Sequence, residues 1–156
     1  MKNTTRIFGT GPLASIASII VFFIFYLLKN ALSFPTIFDE NNSIRFWLFL
    51  LLTLISILMI IFSFKTLTPK ERGRTLIVTG IYKYFRHPLY AAFLSVFNFG
   101  LAILLNNWIY IIWAFSLHPL WHILIRREEE MLKELFPVEY ENYCKKTGRF
   151  FPKIKF

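Results

Sequence analysis

The stretch Thr79 to Leu94, TGIYKYFRHPLYAAFL, sets a guanidinium (Arg86), an imidazole (His87) and three phenols (Tyr82, Tyr84, Tyr90) around a single Pro88. Proline suits the first position of a helix, because its missing N–H costs nothing there and its φ is already helical. A helix that begins at Pro88 has His87 at its cap, Arg86 just outside and Tyr90 in its first turn. Free N–H groups and the positive end of the helix dipole join Arg86 at that point, making a site for a carboxylate or phosphate. Taken alone, the same residues serve equally well to anchor a helix among lipid headgroups.

A second polar cluster follows some forty residues later, Arg126-Arg127-Glu128-Glu129-Glu130, and continues as MLKELFPVEYENYCKKTGRFFPKI. Glu129, Leu132, Phe136, Tyr140 and Tyr143 recur every three or four residues, so one helical stripe carries a carboxylate followed by apolar and aromatic groups. Pro137 must interrupt that helix. It pushes Phe136 out of helical geometry and can open a second short helix through about Lys146. The bend is expected to fold the tail back toward the cytoplasmic ends of the apolar spans. A glutamate run by itself also reads as a solvated face balancing nearby Arg and Lys.

The elements that must position these residues are apolar spans. Of the 156 residues 56% are hydrophobic and only 17% charged, and four stretches match the roughly 17 to 25 residues that a bilayer core demands. They cover 13–28, 44–64, 89–105 and 107–125, with Asn106 and Asn107 leaving room only for a tight turn between the last two. The expected fold is all-α, a polytopic membrane helical bundle of about four transmembrane helices. A C-terminal cytoplasmic helical tail, 126–156, completes a single domain over 1–156. The extramembrane segments are too short for an independent nucleotide-binding domain.

Charge placement gives the orientation. Lys2 and Arg6 precede the first span; Lys65, Lys70, Arg72, Arg74, Lys83 and Arg86 lie between the second and third; the rest follow the fourth, except Lys29 and Arg45. The positive-inside bias puts that shared face, and both termini, in the cytoplasm. The net charge of +9 is spread along span ends and lacks a nucleic-acid-binding fold, so it points to membrane lipids and not to nucleic acid. Ala31-Leu32-Ser33 loosely resembles a signal cleavage site, but removal of the first span would put the tail on the wrong side. Cys144 is the single cysteine, which excludes an intrachain disulfide and a cysteine-based zinc site. Gly9-Thr10-Gly11 is too short to be a phosphate loop.

The two clusters together resemble the isoprenylcysteine carboxyl methyltransferase and phospholipid methyltransferase superfamily. Its members share G-x-Y-x-x-x-R-H-P-x-Y before a helical hairpin and E-E-x-x-L-x-x-x-F-G-x-x-Y-x-x-Y after it. Gly80, Tyr82, Arg86, His87, Pro88 and Tyr90 fill the first pattern; Glu128, Glu129, Leu132, Phe136, Tyr140 and Tyr143 fill the second, with Arg149 and Pro152 suiting the usual ending. Pro137 stands where the family generally has Gly. The likeness covers 76–152, about half the chain, and the first two spans carry no signature.

The resemblance implies an integral-membrane enzyme that binds S-adenosylmethionine on the cytoplasmic side and methylates a lipophilic acceptor. The cofactor's carboxylate suits Arg86, His87 and the helix N-terminus; its ammonium and ribose hydroxyls suit Glu128 and Glu129. Its sulfonium or adenine could lie against Tyr82, Tyr90 or Tyr140, with the tail past Pro137 closing as a lid. His87 or Glu129 could take a proton from an amine acceptor, whereas a carboxylate acceptor needs no base.

His118 and His122 share one face of the fourth span beside Trp121, with Pro119 expected to kink the helix. Without a third ligand they point away from a metal site, toward lining the acceptor cavity or bonding a neighbouring helix. Two other functions remain open. An NADPH-dependent sterol or steroid reductase shares an R-H-P element but continues with Asn and an acid, where this chain has Leu89 and Ala91-Ala92-Phe93. A non-catalytic membrane subunit could keep the same fold as a scaffold.

Overall fold

A computed structural model describes residues 10–39, 43–67 and 74–153. Gly9 and the basic residues Lys2, Arg6, Lys70, Arg72 and Lys155 lie outside them. The described residues form α1 (Gly11–Ala31), α2 (Ile44–Thr66), α3 (Pro88–Leu104), α4 (Trp108–Leu124), α5 (Arg126–Leu135) and α6 (Pro137–Lys146), with a 3-10 turn at Gly80–Lys83. The chain is all-α and polytopic. α1, α2 and the stretch beginning at Trp108 are long and apolar enough to cross a bilayer, and α3 is a shorter apolar helix. α4 passes through Ile125 into α5, whose charges begin at Arg126, so the apolar part of that stretch ends there.

α1 and α2 turn most of their large apolar side chains outward. Phe23 and Leu27 on α1 and Trp47 and Leu54 on α2 are exposed, while the buried residues of these two helices are Ala14, Ser18, Ser56 and Ser63. Small residues in the seams let helices approach closely where lipid, not water, surrounds the bundle. The buried serines keep partners: Trp121 Nε1 donates to Ser18 Oγ at 2.8 Å and Ser18 Oγ to Ala14 O at 2.8 Å, joining α4 to α1.

α3 begins at Pro88, as the fixed φ of proline predicts, but its middle, Ala92–Phe97, winds as a π-helix. Ser56 Oγ of α2 donates to Ala92 O at 2.9 Å. That gives the carbonyl a partner outside the helix's own ladder, a common accompaniment of local unwinding. The α3–α4 turn is tight, with Asn106 at φ 52° and the Asn107 side chain accepting from Ile109 N at 3.1 Å to cap α4. Asn106 also pairs with both backbone groups of Phe38, fastening this end of the hairpin to the α1–α2 loop. α4 continues through Pro119 rather than breaking there.

At the other end, the 3-10 turn needs Gly80. Its φ is +56°, and a Cβ there would come within 2.7 Å of Thr66 Oγ1 at the end of α2. Any side chain would be both strained and obstructed.

Candidate active site

The proline at each end of the site dictates its local geometry. Pro88 starts α3 with His87 at its cap, φ −126° and ψ 68°. Pro137 starts α6 with Phe136 in nearly the same conformation, φ −137° and ψ 65°. The second bend returns the tail to the first. Phe85 and Gly148 form a parallel bridge, in which Arg86 N donates to Gly148 O at 2.8 Å and His87 N to Arg149 O at 3.2 Å. The N–H groups of Arg86 and His87, the two residues ahead of Pro88, are thus taken by the tail. Thr147 Oγ1 adds a bond to Lys83 O at 3.2 Å, and the Tyr143 hydroxyl donates to Tyr82 O.

This docking gathers the charges on Glu129, which is 4% exposed. Arg86 donates to its Oε1 from Nη2 at 2.8 Å and Nε at 3.2 Å; His87 Nε2 lies 3.4 Å from the same oxygen. Arg149 Nη2 donates to Oε2. Burial alone would raise the Glu129 pKa, but the bonds from His87 and Arg149 and the charge of Arg86 outweigh it and hold the carboxyl well below the usual range. Arg86 shows the reciprocal effect: burial pulls its pKa down, and the Glu129 charge and hydrogen bond carry it above the ordinary value. Arg86 Nη1 also donates to Thr147 O at 3.0 Å.

Glu128 is less committed. Its Oε2 accepts from Thr10 Oγ1 at 2.8 Å and from the Tyr90 hydroxyl at 3.1 Å, while Oε1 faces His87 Nδ1 at 3.8 Å. The His87 and Tyr90 rings stack with centroids 5.6 Å apart at 11°. Tyr140 is fully buried, and its hydroxyl has no hydrogen-bond partner among the described residues. Burial and the nearby Glu129 charge push that hydroxyl's pKa up.

Arg86, His87, Tyr90, Glu128 and Glu129 therefore meet in one cluster with Tyr140 buried beside it. Tyr82 is tied in through its carbonyl. Sequence reasoning gave no role to Thr10 and noted Arg149 only as suiting the family's usual ending. It also left His122 without its observed partner: Arg149 Nη1 lies 2.8 Å from His122 Nδ1. A guanidinium can only donate, so Nδ1 accepts and any ring proton sits on Nε2. Phe150, 1% exposed, has all three histidines around it, its ring centroid 6.3 Å from His87, 6.3 Å from His118 and 4.9 Å from His122. Arg149 and Phe150 lie outside any helix, where periodicity gives no warning. The available signal was the surplus of cations beside an acidic run. Among the described residues no group of three metal-ligating side chains converges.

An apolar helical bundle with one buried, charge-dense cluster at the ends of its last hairpin defines a polytopic membrane protein with a polar site at one face. A family model for the isoprenylcysteine carboxyl methyltransferase (ICMT) family matches residues 44–134, and the chain belongs to that family. It is 37% identical over 93 residues to the protein-S-isoprenylcysteine O-methyltransferase of Saccharomyces cerevisiae, across 60% of this chain and 39% of the relative. The chain thus spans about two fifths of the length of that relative.

Proposed function

We propose that this chain transfers a methyl group from S-adenosylmethionine to a lipophilic acceptor, a prenylcysteine-like carboxylate before a lipid amine, at the cytoplasmic face of the membrane. The observation that carries this reading is the meeting of Arg86, His87 and Tyr90 at the start of α3 with Glu128 and Glu129 at the start of α5, in a chain of this family. The name of the yeast relative, which specifies O-methylation, favours the carboxylate acceptor.

The donor set fits the cofactor. Glu128 has an oxygen held only loosely, suited to an ammonium or a ribose hydroxyl; His87 and Tyr90 offer stacked rings; the Tyr140 hydroxyl is a buried polar atom awaiting a partner. S-adenosylmethionine, when bound, supplies an electrophilic methyl on a sulfonium. The residues of this chain position and exclude water. Glu129, locked by two arginines, holds α5 and the tail against the start of α3. Arg86 keeps that charge neutralised, and His87 is placed to take a proton should the acceptor be an amine. A carboxylate acceptor attacks directly and needs no base.

Titration of the purified, detergent-solubilised protein with S-adenosylmethionine and with NADPH separates the readings. Binding of the first alone supports methyl transfer, binding of the second alone supports a reductase, and binding of neither supports a scaffold. Transfer of labelled methyl to N-acetyl-S-farnesylcysteine, tested against phosphatidylethanolamine, then selects the acceptor. Reporters fused after Phe156 and inserted near Arg72 should read cytoplasm, and one near Asp39 the opposite side.

A further inference from the structure

Beside the charge cluster, and separate from it, lies an open pocket of about 870 Å³ between the segment 74–84 and α6 with the tail behind it. Four cations line it, Arg74 and Lys83 from the segment and Lys146 and Lys153 from the tail, against one carboxylate, Glu139. Among the described residues no carboxylate comes within ion-pair distance of Arg74, Lys83 or Lys146. Lys153 is otherwise engaged, its Nζ donating to the carbonyls of Cys144 at 2.7 Å and Lys145 at 3.1 Å at the end of α6. Among the described residues, three positive charges therefore share one pocket without an ion pair of their own.

Most of the remaining wall is apolar or aromatic, with Thr75, Asn142 and Thr147 as its uncharged polar members. Val78 and Tyr84 line the pocket and remain 42% and 54% exposed. The segment that carries them joins the end of α2 to the start of α3, which sets the pocket at the level where two spans leave the bilayer. Cations together with an exposed tyrosine and valine at that depth match the headgroup region, where phosphate and the first part of an acyl chain lie side by side. A free phosphate would use the cations and leave the apolar wall bare.

We propose that this pocket is a binding site for the headgroup of an anionic phospholipid, which bridges segment 74–84 to α6 and clasps the tail onto the start of α3. This goes beyond the diffuse attraction of basic residues to a charged bilayer, because it assigns the contact to one pocket. It stands independently of methyl transfer. The bridge would reinforce the existing ties of Thr147 to Lys83 and of Tyr143 to Tyr82, which cross the same junction.

The test uses the full chain in neutral detergent, titrated with short-chain phosphatidylglycerol, short-chain phosphatidylcholine and inorganic phosphate. Lys83→Gln with Lys146→Gln removes two pocket cations; Lys133→Gln with Lys145→Gln removes the same charge from exposed positions outside the pocket. Phosphatidylglycerol should bind more tightly than phosphatidylcholine or phosphate and should slow hydrogen exchange of the α6 amides. The pocket pair should weaken phosphatidylglycerol binding by about fivefold per cation removed, and the control pair should not. Equal losses in the two pairs would overturn the proposal in favour of diffuse attraction. Phosphate binding as tightly as phosphatidylglycerol would overturn it in favour of a free-anion site. Matched thermal midpoints of the two pairs in the absence of lipid exclude misfolding as the cause of any difference.

Discussion

Arg86 sets two nitrogens, Nε and Nη2, on a single oxygen of Glu129, at 3.2 and 2.8 Å. The other oxygen of Glu129 is taken by Arg149, so this buried carboxylate is saturated while its neighbour Glu128 is not. The paired acids of the second motif therefore have different work. Glu129 ties α5 and the tail to the start of α3, while Glu128 keeps one oxygen, Oε1, facing His87 Nδ1 at 3.8 Å.

Three substitutions separate these roles. Glu129→Gln leaves Arg86 and Arg149 without their counter-charge and should lower stability by about 3 kcal/mol or more, with cofactor binding weakened as a result. Glu128→Gln should weaken S-adenosylmethionine binding by about tenfold, the loss of one charge-assisted contact, with the thermal midpoint close to wild type. Glu130→Gln, on the exposed side of α5, should change neither. Titration and thermal unfolding of the three proteins decide the matter, and equal effects from Glu128→Gln and Glu130→Gln would remove Glu128 from the site.

Acid should expose the same asymmetry. The folded pKa of Glu129 is depressed below its ordinary value of 4.5, so its contribution to stability is complete above that value and is lost as pH falls toward the folded pKa. The thermal midpoint of the wild type should fall on acidification below about pH 5. Glu129→Gln, having no such group, should show a shallower fall over the same range. Parallel curves would mean that Glu129 is not held as the structure shows.

Arg86→Lys keeps the charge and loses the planar fork. Lysine cannot reach Glu129 Oε1 and Thr147 O together, so the tail should loosen, with a cost of about 2 kcal/mol in stability. Hydrogen exchange of the α6 amides should accelerate in step. His87→Gln, which leaves Arg86 and Arg149 on Glu129, should weaken cofactor binding with a smaller loss of stability. Unchanged binding and unchanged exchange in both variants would return this stretch to a headgroup anchor.

Pro88 and Pro137 were legible in the sequence because proline acts on its own backbone whatever surrounds it, and each starts a helix where expected. The spans were legible by length and apolarity; the structure extends the first from 13–28 to Gly11–Ala31 and the second from 44–64 to Ile44–Thr66. The sequence did not reveal the bridge between Phe85 and Gly148, since two residues of backbone pairing leave no periodicity. Gly148 offers a retrospective cue, because a Cβ there would come within 1.9 Å of Phe151 O. Arg149 could not be placed without that bridge, nor could the pairing of the Arg86 and His87 N–H groups with the tail. Thr10 was passed over for a different reason: Gly9-Thr10-Gly11 is too short to be a phosphate loop, and nothing else in the sequence pairs Thr10 with its actual partner, the Glu128 carboxylate.

The Tyr140 hydroxyl is buried with no hydrogen-bond partner among the described residues, an arrangement that costs about 1–3 kcal/mol unless something binds there. Tyr140→Phe should therefore leave the ligand-free protein as stable as wild type or more so. Its stabilisation by S-adenosylmethionine should shrink, because the ligand-bound state loses the contact that the hydroxyl awaits. Thermal midpoints with and without cofactor give both quantities from one preparation. A variant stabilised by the cofactor as strongly as wild type would confine Tyr140 to packing.

His118 poses the same question inside the bundle. Neither ring nitrogen has a partner among the described residues, and the ring stacks on Phe151 at 5.1 Å and 20°. Unpaired polar atoms at that depth are costly, and in membrane proteins titratable side chains kept there commonly line substrate or ion paths. His118→Phe retains a ring for Phe151 to stack on and discards the two unpaired nitrogens, so the ligand-free protein should gain about 1 kcal/mol. If His118 lines the route by which the acceptor's polar head reaches His87 and Glu128, the same variant should raise KM for the acceptor and leave S-adenosylmethionine affinity unchanged. Steady-state kinetics with a farnesylated cysteine analogue, alongside equilibrium binding of the cofactor, separate these effects. A more stable variant with wild-type KM would show the histidine to be a packing residue.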